Sequence, residues 1–257
     1  MRFLSPTKSR RTAGFTLVEI LVISPILILT IGGFVYTLTT IVSDALAIRD
    51  TNTMVYETQT ALDRIEQDAR LSIQFPSSTG PLPSPQGSDN GFAGTAGFTA
   101  GQNVLIMSTL STTINPLDPT RQVVYYSAPN VCGSTQVYNP PLITTVIYYV
   151  NNGSLYRRTY LPTPGAGQLC GSPWQQNSCS PGYTNTTQCQ TSDAKLMDNV
   201  QSLSTAYYGN AASTTDLGYA NAATATTIGA TIVGNKTTAG QAVSNTATMR
   251  VSKINNN

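Results

Sequence analysis

Gly14-Phe15-Thr16-Leu17-Val18-Glu19-Ile20-Leu21-Val22 opens a run that meets no further charge after Glu19 until Asp44. Its charge-free part, Ile20 to Ser43, has 24 residues. As a helix this is about 36 Å long, and a bilayer core takes about 20 apolar residues. The spacing therefore predicts a transmembrane helix over residues 20–43. Residues 1–14 hold Arg2, Lys8, Arg10 and Arg11 and no acid. Basic residues before the run and an acid after it predict a cytoplasmic N-terminus with the C-terminal mass outside. Glu19 does not suit a plain anchor. A carboxylate costs about 2.5–3.5 kcal/mol at the centre of a membrane helix, and less near the interface, so it needs a partner.

The rest of the composition excludes more than it assigns. Histidine is absent and only 10% of residues are charged. Without histidine there is no Ser-His-Asp or Cys-His set and no imidazole ligand. No G-x-x-x-x-G-K-[ST] loop occurs, so the chain is not an ATP-driven motor. The glycine-rich stretch Gly91-Phe92-Ala93-Gly94-Thr95-Ala96-Gly97 follows no strand and reads as a loop. The scattered acids lack EF-hand spacing. The expectation is a non-enzyme with no cofactor and no metal. Residues 76–257 hold seven basic and five acidic side chains, too few for a basic face, so no nucleic-acid partner is expected.

The stretch Gly14 to Val22, behind its basic leader, resembles the class III leader of type IV prepilins and type II secretion pseudopilins. That resemblance implies a cut by prepilin peptidase between Gly14 and Phe15, followed by N-methylation of Phe15. Glu19 would become the fifth residue of the mature chain. Its carboxylate would pair with the new Phe15 ammonium of a neighbouring subunit, turning a costly charge into a device for register. The implied partners are prepilin peptidase, other pilin or pseudopilin subunits and an inner-membrane assembly platform, with lipid around residues 20–43. The implied life cycle runs from a single-pass precursor, head outside, to a filament. Pro25 and Gly32-Gly33 depart from an unbroken family helix and are expected to kink or loosen it. Two other readings exist. Ala45-Leu46-Ala47 fits a signal-peptidase site, and Ser9-Arg10-Arg11 faintly fits a twin-arginine signal. Both sit badly with an apolar run longer than the usual signal core and with Glu19.

Residues 44–75 continue the helix as an amphipathic stem. Ile48, Val55, Leu62 and Ala69 recur every seven residues beside Ala61 and Ile65, which predicts a buried stripe. Asp63, Arg64, Glu66, Asp68 and Arg70 are expected mostly outside it, with Glu66 and Arg70 as an i,i+4 pair. Pro76 is expected to end the helix.

Residues 76–257 read as a β-rich head. Strands are expected at 104–107, 122–126 and 144–150, the last turning through Asn152-Gly153 into 154–160. Further strands are expected at 206–210, 227–233 and 247–253. Arg157 and Arg158 are expected on opposite faces of their strand, solvated. Four cysteines, Cys132, Cys170, Cys179 and Cys189, suggest two disulfides in an exported head. Three pairings are open, and Cys132–Cys170 with Cys179–Cys189 is the working guess; free buried thiols are the alternative. The fold class is α+β: a long N-terminal helix, transmembrane then amphipathic, packed on a mainly antiparallel sheet. Pieces such as Leu62 to Arg70, Tyr148-Tyr149 with Arg157-Arg158, and Asn199-Val200 before Tyr207-Tyr208 resemble the J-type pseudopilins and W-type minor pilins. That resemblance, with the head's size, implies a minor subunit. The alternatives are a filament-displayed adhesin or binding module, or an unrelated membrane-anchored or secreted β-rich domain.

Overall fold

The computed structural model describes residues 16–83, 97–133, 139–162, 167–180 and 188–254. The chain divides into two units at Ile48/Arg49, inside its one long helix. That helix, α1, is Leu17–Leu71. The strands are β1 Ser72–Gln74, β2 Val104–Leu110, β3 Tyr125–Tyr126, β4 Ile143–Asn151, β5 Ser154–Tyr160 and β6 Leu169–Cys170. They continue as β7 Ser178–Cys179, β8 Thr191–Ser192, β9 Ala194–Met197, β10 Val200–Tyr208, β11 Thr227–Thr238 and β12 Gln241–Ser252. A 3-10 helix, Tyr219–Thr224, precedes β11. The fold is α+β, a long N-terminal helix against mainly antiparallel sheets.

The larger sheet has five strands in the order β1-β2-β4-β5-β9, all antiparallel. Both of its faces are covered, which is why β2 and β4 read as near-continuous apolar runs rather than alternating ones. On one face lie Leu105, Met107 and Tyr148, toward the residue 49–71 segment of α1. On the other, Val104, Ile106, Ile147 and Tyr149 form a core with Leu82, Phe98 and Ala100. The last three lie between Pro76 and the first expected strand, where the sequence predicts no regular element. Gly97 makes that covering layer possible: its φ is +73°, and a Cβ there would lie 2.0 Å from the Gly80 carbonyl oxygen. The β4–β5 hairpin closes on Asn151 opposite Ser154 through Asn152-Gly153, with φ of 49° and 73°. Both central residues being left-handed is what a type I′ hairpin turn requires.

The second sheet is β10-β11-β12. Leu203, Tyr207, Ile228, Ala230 and Ile232 form its buried face, while the intervening residues of β11 are only half-buried, the alternation of a sheet covered on one side. Met54 of α1 packs so closely on Gly234 that a Cβ there would lie 2.8 Å from its sulfur.

Several expectations change. The buried stripe of residues 49–71 is Met54, Thr58, Ala61, Leu62, Ile65, Asp68 and Ala69. Ile48 and Val55 are exposed, because Met54 and Thr58, not Val55, continue the ridge below Leu62. The helix stops at Leu71 rather than at Phe75: the Ser72 hydroxyl donates to the Ala69 carbonyl at 2.7 Å, and Ser72 and Gln74 pair with β2. Of residues 122–126 only Tyr125–Tyr126 is strand. The last hairpin is longer than expected, turning at Ala239-Gly240.

Candidate functional site

Gly14 and Phe15 lie outside the described residues. Glu19 stands exposed in the first turn of α1. Its backbone N–H donates to the Thr16 hydroxyl at 3.3 Å and to the Thr16 carbonyl at 3.1 Å. Thr16-Leu17-Val18-Glu19 is therefore a helix-capping sequence, with an acid near the positive end of the helix dipole. The Thr-x-x-Glu spacing that signals such a cap is visible in the sequence alone.

Beyond Glu19 the helix shows apolar side chains on every side. Ile28 is 69% exposed, Leu29 75% and Phe34 64%. A contiguous apolar surface on this scale needs a partner or a bilayer. The segment is long and apolar enough to cross a membrane. Its threonine hydroxyls are already satisfied. Thr30 donates to the Leu27 carbonyl at 2.9 Å, Thr37 to Gly33 at 2.9 Å, and Thr39 and Thr40 to Tyr36 at 2.8 and 3.0 Å. Such back-bonding leaves few hydroxyls seeking water, as a lipid environment requires. The helix is continuous through Pro25 and Gly32-Gly33, and nothing approaches within 4 Å of a Cβ placed at either glycine.

Within the Arg49–Asn257 unit, two tyrosine–aspartate–arginine clusters hold the layers together. Tyr148 and Arg157 are partners across β4 and β5, so they share a face. The Tyr148 hydroxyl donates to Asp68 Oδ2 at 2.5 Å, and Arg157 Nε donates to the same oxygen at 2.6 Å. This ties the end of α1 to the sheet. Burial, and then the Asp68 charge, raise the Tyr148 pKa well above the ordinary phenol value. Burial works against the Arg157 charge, but Asp68 and Tyr148 more than offset it and its pKa is raised.

On the opposite face, Arg158 Nη2 donates to Asp193 Oδ2 at 2.6 Å, with both side chains 0% exposed. Asp193 also accepts from Tyr149 at 2.7 Å and Ser178 at 2.7 Å. The guanidinium lies 5.5 and 5.4 Å from the ring centroids of Phe98 and Tyr149. Burial, and then Asp193, raise the Tyr149 pKa. The two arginines do face opposite ways, but neither is a freely solvated strand residue: Arg158 is fully buried against Asp193, and Arg157 is half-buried against Asp68. Alternation along the strand reveals the opposite faces. The aspartates sit 89 and 35 residues away, and no local pattern points to them.

The disulfides are Cys132–Cys170 and Cys179–Cys189, each with a Cα–Cα distance of 5.4 Å. The second carries the Arg158 cluster, because Asp193 N–H donates to the Cys179 carbonyl at 2.7 Å and Ser178 precedes it. Beside the Asp68 cluster opens a cleft of about 390 Å³ with Arg64, Gln67, Asn115, Leu117 and Trp174 among its walls. The clusters fasten elements together. No family model and no curated protein matches this chain.

Proposed function

We propose that the chain is a type IV pilin-like subunit, a minor pilin or pseudopilin. It would be made as a prepilin, cut between Gly14 and Phe15 by prepilin peptidase, and N-methylated at Phe15. It would then be passed through an inner-membrane assembly platform into a filament of related subunits. The observation that carries this reading is the contrast along α1. Residues 17–46 expose nearly every large apolar side chain, whereas Met54, Leu62 and Ile65 further along are buried against an antiparallel head. Residues 20–43 suit lipid before assembly and neighbouring helices after it. In this reading Glu19 meets the Phe15 ammonium of the next subunit. The head lies outside the cytoplasm, where its two disulfides are stable.

A second reading rests on the Thr16 cap. Glu19 then only closes the first turn, and the chain is an uncut, single-pass anchored domain. The Glu19→Ala chain separates the two. A filament subunit with this change is still cut and inserted but is lost from sheared surface filaments. If Glu19→Ala enters filaments as well as the native chain, the assembly role of Glu19 is wrong.

A further inference from the structure

The two sheets treat their edges differently. In the five-stranded sheet, edge strand β1 has three residues and a register shift. The other edge, β9, has four residues, a register shift and the exposed Lys195. Short strands, bulges and lysines are the usual means by which a sheet avoids pairing with other chains. β12 ends the order β10-β11-β12 and has none of these protections. Its 12 residues match β11 without a shift, and it holds no proline, glycine or lysine. Its one charge, Arg250, is folded back across the sheet. The guanidinium lies 3.8 Å from the Tyr208 ring centroid and donates to the carbonyls of Asn210 and Ser213.

The register fixes which backbone groups face outward. The hairpin closes on Thr238 opposite Gln241, and at the far end Lys253 N–H donates to the Thr226 carbonyl at 3.0 Å. Residues of that parity make the bonds to β11. The backbone groups of Ala242, Ser244, Thr246, Thr248, Arg250 and Ser252 therefore point away from it. Among the described residues, none of these groups has a backbone partner.

We propose that β12 is an open pairing edge whose occupant is the β12 of a second copy of this chain, antiparallel about a two-fold axis at Ala247. The strand is self-complementary in that register. Ala242 meets Ser252, Ser244 meets Arg250 and Thr246 meets Thr248, so every outward backbone group gains a partner and no like charges stand opposite. On the inner face Val243 meets Val251, Asn245 meets Met249, and Ala247 meets itself. The result is an isologous contact that joins two three-stranded sheets into one. It does not depend on the filament reading.

The test uses the full-length chain in detergent micelles, with Ala247→Cys. The native cysteines are already paired. Across the axis the two Ala247 positions form a non-hydrogen-bonded pair, with Cα atoms about 4.5 Å apart, inside the range a disulfide spans. Mild oxidation is expected to give a reducible dimer at least tenfold above that from Asn235→Cys, an exposed site on β11. Adding Thr246→Pro removes one outward N–H, spares the bonds to β11, and is expected to abolish the dimer. Thr246→Lys is expected to weaken it, and mixing Thr246→Lys with Thr246→Asp chains is expected to favour the mixed pair. No dimer above the Asn235→Cys level would overturn the proposal. So would a yield unmoved by Thr246→Pro in a chain whose circular dichroism is native.

Discussion

Replacing Asp193 by alanine would leave the Arg158 guanidinium fully buried with no counter-charge. Both side chains are 0% exposed, so water cannot take over the lost partner. Removing one member of a buried pair costs about 3–5 kcal/mol. Tyr149 and Ser178 also lose their acceptor, at about 1–3 kcal/mol for each donor left unmet. These costs overlap, and about 5 kcal/mol is the expected loss, a third or more of a typical domain's stability of about 5–15 kcal/mol. Urea unfolding of the full chain in detergent, followed by circular dichroism, reads it directly. With a slope of about 2–3 kcal/mol per molar, the midpoint should fall by roughly 2 M. Arg158→Met combined with Asp193→Leu should recover most of the loss, because it removes both charges and fills the space. A single-variant loss below about 1 kcal/mol, or a double variant no better than the single, would refute the stranded-charge reasoning.

The parallel change Asp68→Ala should cost less than Asp193→Ala in the same assay, because the Arg157 side chain is 17% exposed and part-solvated. Ile65→Ala, at a fully buried position on α1, should lower stability by about 2–5 kcal/mol in urea. Reducing the disulfides should cost about 4 kcal/mol for Cys132–Cys170, with its separation of 38 residues, and about 3 kcal/mol for Cys179–Cys189, with 10. Single Cys→Ser variants compared by thermal melting would show that order. Burial lifts the Tyr207 hydroxyl from 10.0 to about 12. The unfolded chain releases that proton first, so this contribution is full below pH 10 and fades as pH rises toward 12. Urea midpoints from pH 8 to 11 should therefore fall only above pH 10, together with tyrosinate absorbance.

The sequence was most legible where one signal is repeated locally. The charge-free run after Glu19, the β4–β5 hairpin with its Asn152-Gly153 turn, and the α+β order all rest on composition or period over a few neighbouring residues. It was less legible where tertiary contacts choose between options. Val55 and Met54 are both apolar neighbours, and only the sheet beneath decides that Met54 is buried and Val55 exposed. Asp68 looks like one of five surface charges until Tyr148 and Arg157 fold onto it. Phe98 sits in a Gly- and Ala-rich segment that reads as loop, yet it closes the second face of the sheet. The Thr16–Glu19 cap is a local signal too, but the same Glu19 carboxylate also reads as a membrane charge in need of a partner, and the sequence does not choose between the two.

The central proposal is that the mature chain begins at Phe15. Intact mass and N-terminal sequencing of the chain taken from its native membrane test it most directly. The account expects a first residue of N-methylated phenylalanine with residues 1–14 gone. A chain that retains Met1, or one that begins after Ala47, would contradict it.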